Sequence, residues 1–195
     1  QCKTLHRILA LNAGSQFSQD YQLGPETTVE EFRQRISVSD YDVFKPYIDQ
    51  LRQGNSDAML GEHNPLLMFA LSSGTTSDSK YIPITQPFLD DYRAGWRTWG
   101  IGAIDGHPGC DSGHILQITS SKSRFLSEGG IPCGNISGLV SSMQYRVIRR
   151  IYTLPAAVAE IQDPSDKYYT ILRIALADER ITWVIGNSND SARWL

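Results

Sequence analysis

The chain has 195 residues, of which 41% are hydrophobic and 20% charged, with a formal net charge of −3 and 18 Lys and Arg against 21 Asp and Glu. A soluble globular composition with this balance argues against a broad basic nucleic-acid footprint, and the longest apolar run, Leu66–Leu71, is far too short to cross a membrane. Cys2, Cys110 and Cys133 are isolated in sequence, form no C-x-x-C pair and are expected to be free thiols, so the expected location is the cytoplasm. His6, His63, His107 and His114 show no zinc spacing. The N-terminus "QCKTLHRILALNAG" has no long apolar core and is not expected to be a signal peptide. It lacks a starting methionine, and "SARWL" follows directly on a strand and loop, so the chain is expected to be cut from a longer protein.

In chain order, Leu5, Ile8, Leu9 and Leu11 give a helix with Gly14 as its stop. Thr28 and Glu31 form a capping box ahead of Val29, Phe32 and Ile36. "YDVFKPYIDQLRQG" reads as a helix with Pro46 in its first turn and Gly54 at its end. Residues 1–60 are thus a helical lead-in. Leu66–Leu71 and "KYIPIT" read as strands, since Pro83 prevents a helix from starting at Lys80. Thr85 caps a helix that carries Phe88, Leu89, Tyr92, Trp96 and Trp99 on one face, which by its helical spacing reads as core.

Beyond it, the glycine-rich residues 102–114 read as a loop, "HILQITSS" as a strand and "SKSRFLSEGGIPCGNISG" as a second loop. Leu139, Met143, Val147, Ile148 and Ile151 read as one helix. Thr153 with Pro155 starts a short helix, Asp163-Pro164 opens another through Leu176, and "ITWVIGNS" is a strand. Strands alternating with helices give an α/β fold, with residues 66–85 as strand, polar loop and strand, and 86–195 as alternating helices and strands.

The segment "SSGTTSDSK" carries six hydroxyl side chains, one glycine and one lysine between two apolar stretches. Backbone N–H groups, hydroxyls and a lysine suit a phosphate, and Gly74 allows the backbone close to it. A Walker loop fails in detail, because no glycine precedes Lys80, Tyr81 stands where Ser or Thr should hold magnesium, and "KYIPIT" is no helix. A plain polar hairpin loop remains a reading, although nine residues separate Leu71 from Tyr81 and such loops use about two to five. "GNISG" is one residue off the G-x-S-x-G nucleophile elbow, so a hydrolase is disfavoured; with no strand leading tightly into it, it reads as a loop capping the helix from Leu139. Arg146, Arg149 and Arg150, like Asp90 and Asp91, read as solvated surface.

The segment also resembles the phosphate-binding motif of the adenylate-forming superfamily, which includes acyl-CoA synthetases and luciferases. That motif runs hydroxyl residue, serine, glycine, threonine, hydroxyl residue, glycine, two variable positions and lysine. Ser72, Ser73, Gly74, Thr75, Thr76 and Lys80 match it, and Ser77 replaces its second glycine. With its flanks "NPLLMFALSSGTTSDSKYIPIT", and with "TLHRILALN", "DYDVFKPYIDQLRQG" and "GGIPCGNISG", the chain resembles the auxin-responsive promoter family of acyl acid amido synthetases. The resemblance implies the N-terminal part of the large adenylation domain, with mixed sheets flanked by helices. It implies ATP and magnesium as cofactors, and a carboxylic acid and an amino acid or other amine as co-substrates. Ser72, Ser73, Gly74, Thr75 and Thr76 would bind ATP phosphates, Lys80 would be catalytic, and Trp96 and Trp99 are acyl-pocket candidates. No protein metal ligand, nucleic-acid partner or membrane partner is implied. The family's ribose-binding and later nucleotide motifs are not recognisable here, so residues 1–195 alone are expected not to turn over. A second reading stays open: a non-catalytic nucleotide- or small-molecule-binding or interaction domain that keeps the fold.

Overall fold

A computed structural model describes residues 1–72, 79–144 and 148–186. The chain forms two compact units, Gln1–Asp91 with Phe125–Cys133, and Tyr92–Arg124 with Gly134–Leu195. The architecture is mixed α/β, as the sequence reading expects.

In the first unit, α1 (Cys2–Leu11) ends before Gly14, which takes φ 84° in the turn to α2 (Gln16–Asp20). That five-residue helix has no apolar period to announce it; Ser15 caps it by accepting from the Ser18 N–H. The capping box holds at α3 (Val29–Arg35): Thr28 accepts from the Glu31 N–H, and Glu31 accepts from the Thr28 N–H. Pro46 does not lie in a first turn. The Asp40 carboxylate accepts from Asp42 N–H and starts α4 (Tyr41–Arg52) earlier, which puts Pro46 at the sixth helical position. Two antiparallel strands follow, β1 (Leu66–Leu71) and β2 (Tyr81–Thr85).

The second polar loop of the sequence reading contains two strands, β4 (Phe125–Leu126) and β5 (Pro132–Gly134). They pair antiparallel, Phe125 opposite Cys133, around a turn closed by Ser127 N–H to the Ile131 carbonyl and by Gly130 at φ 77°. At two and three residues they are too short for alternation to be read. The sheet order is β2-β1-β5-β4, which leaves β2 at an edge. Ile48, Leu51, Ala58, Leu60, Phe69 and Cys133 form the core beneath it.

The helix α5 (Gln86–Gly106) runs through the residues expected to begin a loop at Gly102. A glycine in a helix interior costs about 1 kcal/mol relative to alanine, which weakens a helix without having to end it. In the second unit, β3 (His114–Gln117) pairs in parallel with β6 (Ile181–Ile185), and the Ile118 N–H extends the ladder by donating to the Ile185 carbonyl. The expected single helix 139–151 is broken. α6 (Ile136–Ser142) starts three residues earlier and stops at Met143, and Ile148–Ile151 is a 3₁₀ turn. Pro155 precedes a further 3₁₀ turn, Ala156–Glu160. α7 (Pro164–Leu176) is capped as read, with Asp163 accepting from the Asp166 N–H. Leu116, Val158 and Ile171 form this unit's core. Among the described residues, no helix is long and apolar enough to cross a membrane.

Candidate functional site

β1 and β2 bring Ser72 and Lys80 opposite one another as the stems of the hydroxyl-rich segment. The Ser72 N–H donates to the Lys80 carbonyl at 3.1 Å, and the Lys80 N–H donates to Ser72 Oγ at 3.3 Å. The serine side chain thus stands in for a backbone acceptor. Lys80 is exposed, with its ammonium 5.4 Å from the centroid of the Tyr41 ring. Ser73, Gly74, Thr75 and Thr76, and Ser77 beside them, lie outside the described residues.

The residue after Lys80 is held from three directions, none of which the sequence reading singled out. The Tyr41 hydroxyl accepts from the Tyr81 N–H at 2.9 Å and donates to the Tyr81 carbonyl at 3.3 Å. The Arg52 guanidinium carbon lies 4.2 Å from the centroid of the Tyr81 ring. Phe69, fully buried, meets that ring edge-on at 5.8 Å. Arg52 is itself fixed, with Nη1 donating to Asp49 at 3.1 Å and Nη2 to Glu128 at 2.7 Å. Hydrogen bonds from Lys45 and then Arg52 hold the Asp49 carboxyl below the usual carboxylate range, and burial pushes the Tyr41 phenol up. Tyr41 therefore keeps its proton at neutral pH and can donate. The signal for this arrangement was present in "SDYDVF", an aspartate cap followed by tyrosine at the first helical position, but its partner lies 40 residues away.

Burial also pushes up the thiol of Cys133, which is fully buried and suited to packing rather than to nucleophilic attack. "GNISG" is not a free loop, since β5 runs directly into α6 through Asn135. A Cβ on Gly134 would sit 2.0 Å from the Lys122 carbonyl oxygen, and one on Gly138 2.3 Å from that of Ser120. These glycines permit close backbone approach, and Ser137 is buried rather than raised as a nucleophile.

Trp96 and Trp99 sit on α5 in an aromatic row. Tyr92 and Trp96 are 6.2 Å apart, Trp96 and Trp99 5.1 Å, and Trp99 and Trp183 on β6 5.5 Å. Both of the α5 tryptophans are partly open to solvent, at 36% and 50% exposure, so they do not form the buried core that a helical apolar face suggests. In the same unit, His114 Nδ1 lies 2.7 Å from Asp178, which also accepts from Thr153 and Arg180. The Arg180 hydrogen bond, followed by that of His114, holds the Asp178 carboxyl far below its usual range. This cluster ties the start of β3 to the turn between α7 and β6. Among the described residues, no group of three or more His, Cys, Asp or Glu side chains converges to hold a metal ion.

A model of the GH3 family N-terminal domain matches residues 1–191. The chain is 30% identical over 133 residues to the jasmonoyl–L-amino acid synthetase GH3.5 of Oryza sativa subsp. japonica, covering 67% of this chain and 22% of that protein. It is 25% identical over 177 residues to the indole-3-acetic acid-amido synthetase GH3.2 of Arabidopsis thaliana, covering 87% of this chain and 32% of that protein. In three dimensions it is similar to a GH3.15 acyl acid amido synthetase, with a TM-score of 0.79 at 19% identity, over 93% of this chain and 32% of that one. That likeness extends the fold match to nearly the whole chain. The chain spans less than a quarter of the rice relative's length.

Proposed function

The chain belongs to the GH3 family, and on that premise we propose that it is the N-terminal part of the adenylation domain of an acyl acid amido synthetase. The observation that carries the reading is the pairing of Ser72 with Lys80 across the mouth of a segment whose residues match the adenylate-forming phosphate motif, within a match that spans nearly the whole chain. In the proposed reaction, a carboxylate oxygen attacks the α-phosphorus of ATP. The bond to the β-phosphate bridging oxygen breaks, and pyrophosphate leaves. The amine of an amino acid then attacks the acyl carbon, AMP departs with the electron pair of the acyl–oxygen bond, and the ammonium proton passes to solvent.

Ser72, Ser73, Gly74, Thr75 and Thr76 would hold the β- and γ-phosphates through N–H and hydroxyl donors. Lys80 would offset charge that builds on the leaving pyrophosphate. Positioning and charge neutralisation are the main demands of such a step, because the carboxylate and the nucleotide repel each other. Magnesium is implied by ATP and would arrive with the nucleotide. Trp96 and Trp99 are proposed for the acyl side, supported by the aromatic row they form with Tyr92 and Trp183, a surface suited to aryl or indole acids. The reading includes a cytoplasmic location, which free Cys2, Cys110 and Cys133 support.

The test is pyrophosphate exchange into ATP by the full-length protein, against a panel of aryl, indole and aliphatic acids. Exchange is expected only when a fitting acid is present. No exchange with any acid, alongside measurable ATP binding, would favour the non-catalytic binding domain instead.

A further inference from the structure

We infer that Tyr41 is a positioning residue for Lys80, a role that rests on the phosphate-binding reading of the segment that Lys80 closes. The reasoning starts from the ladder. Residues facing each other across an antiparallel pair alternate between hydrogen-bonded and non-hydrogen-bonded sites. Ser72 and Lys80 form a bonded site, and Leu71 faces Tyr81 at the next one along. The N–H and carbonyl of Tyr81 therefore point away from β1, and β2 is an edge strand, so both groups are directed out of the sheet. At an ordinary edge they would go to water.

Here one hydroxyl takes both, since Tyr41 Oη accepts from the Tyr81 N–H and donates to the Tyr81 carbonyl. The ring of the same tyrosine stands beside the Lys80 ammonium at 5.4 Å, inside the range of a cation–π contact. One side chain thus fixes the peptide that follows Lys80 and also attracts its charge. α4, which presents Tyr41, is anchored by buried Ile48 and Leu51 and by Arg52 stacked on the Tyr81 ring, so the support is rigid. A lysine loses more side-chain freedom on ordering than most residues. One already guided by a ring and a pinned backbone loses less when it meets a phosphate. Among the described residues Lys80 has no carboxylate partner to hold it elsewhere.

The experiment is acid-dependent pyrophosphate exchange by the full-length protein in four forms: wild type, Tyr41→Phe, Lys80→Ala and the double variant. The melting temperature of each is recorded. Tyr41→Phe keeps the ring and loses only the hydroxyl. It is expected to raise the KM for ATP about 3- to 10-fold, the size of one net hydrogen bond, with the KM for the acid unchanged. In the Lys80→Ala background the same change is expected to add little, because positioned and positioner are coupled. Equal fold-changes in both backgrounds would overturn the inference while leaving the phosphate-loop reading intact. So would an unchanged KM for ATP, or early melting with both KM values raised, which would mark a plain helix-to-strand staple. A Lys80→Ala protein that behaves as wild type would overturn the phosphate-loop reading, and the role of Tyr41 with it.

Discussion

Lys80→Ala in the full-length protein is expected to weaken ATP use by about 10- to 150-fold, the equivalent of the roughly 1.5–3 kcal/mol carried by a hydrogen bond to a charged group. Folding should change little. Lys80 is exposed, and its interaction with the Tyr41 ring is worth about 0.5–1 kcal/mol at such a site. The thermal melt without nucleotide should therefore stay close to wild type, while titration with ATP or kinetics in ATP shows the loss. A large drop in melting temperature would make Lys80 a structural residue. Unchanged melting and unchanged ATP use would reduce the segment to a connector between β1 and β2.

Gly134→Ala should have the opposite signature, a loss of stability with no direct effect on nucleotide contacts. The added methyl would meet the Lys122 carbonyl oxygen at 2.0 Å and the Lys122 carbonyl carbon at 2.5 Å, both backbone atoms that cannot swing aside. Forced separation of packed backbone costs about 3 kcal/mol or more, at the upper end of overpacking. For a chain of this size that lowers the melting temperature by about 6–12 °C. Gly100→Ala is the control. It lies in α5 with nothing within 4 Å of the new Cβ, so the exchange should stabilise by about 0.5–1 kcal/mol through helix propensity. Thermal melts of the two variants separate these cases. Equal shifts would mean that the approach of residues 122 and 134 does not constrain the fold.

The contrast between these positions shows what could be read in advance. The Thr28 capping box, the Asp163 cap, β1, β2 and β6 all announce themselves within a few residues, because caps and short apolar or β-branched runs are local. α2, β4 and β5 are too short to carry a period. The extra turn of α5 was hidden by Gly102 and Gly106, which read as loop signals although each costs a helix only about 1 kcal/mol. The break after Ser142 was hidden for the converse reason, since Leu139, Met143 and Ile151 continue a helical spacing that the backbone does not follow. At the candidate site, the hydroxyls and Lys80 were legible from composition and order. Tyr41 and Arg52 were not, because they reach the residue after Lys80 from distant parts of the chain, and Glu128, which holds Arg52, is more distant still. Trp183 was similarly invisible as a neighbour of Trp99, since a tryptophan in "ITWVI" reads only as a strand residue.

The most direct test of the central claim is the product balance of the full-length protein incubated with ATP, a carboxylic acid that supports pyrophosphate exchange, and a mixture of amino acids, followed by mass spectrometry. Amide, AMP and pyrophosphate should appear in equal amounts, and omission of the acid should abolish all three. Release of ADP and phosphate, or formation of AMP without any amide across the amino acid mixture, would contradict an acyl acid amido synthetase.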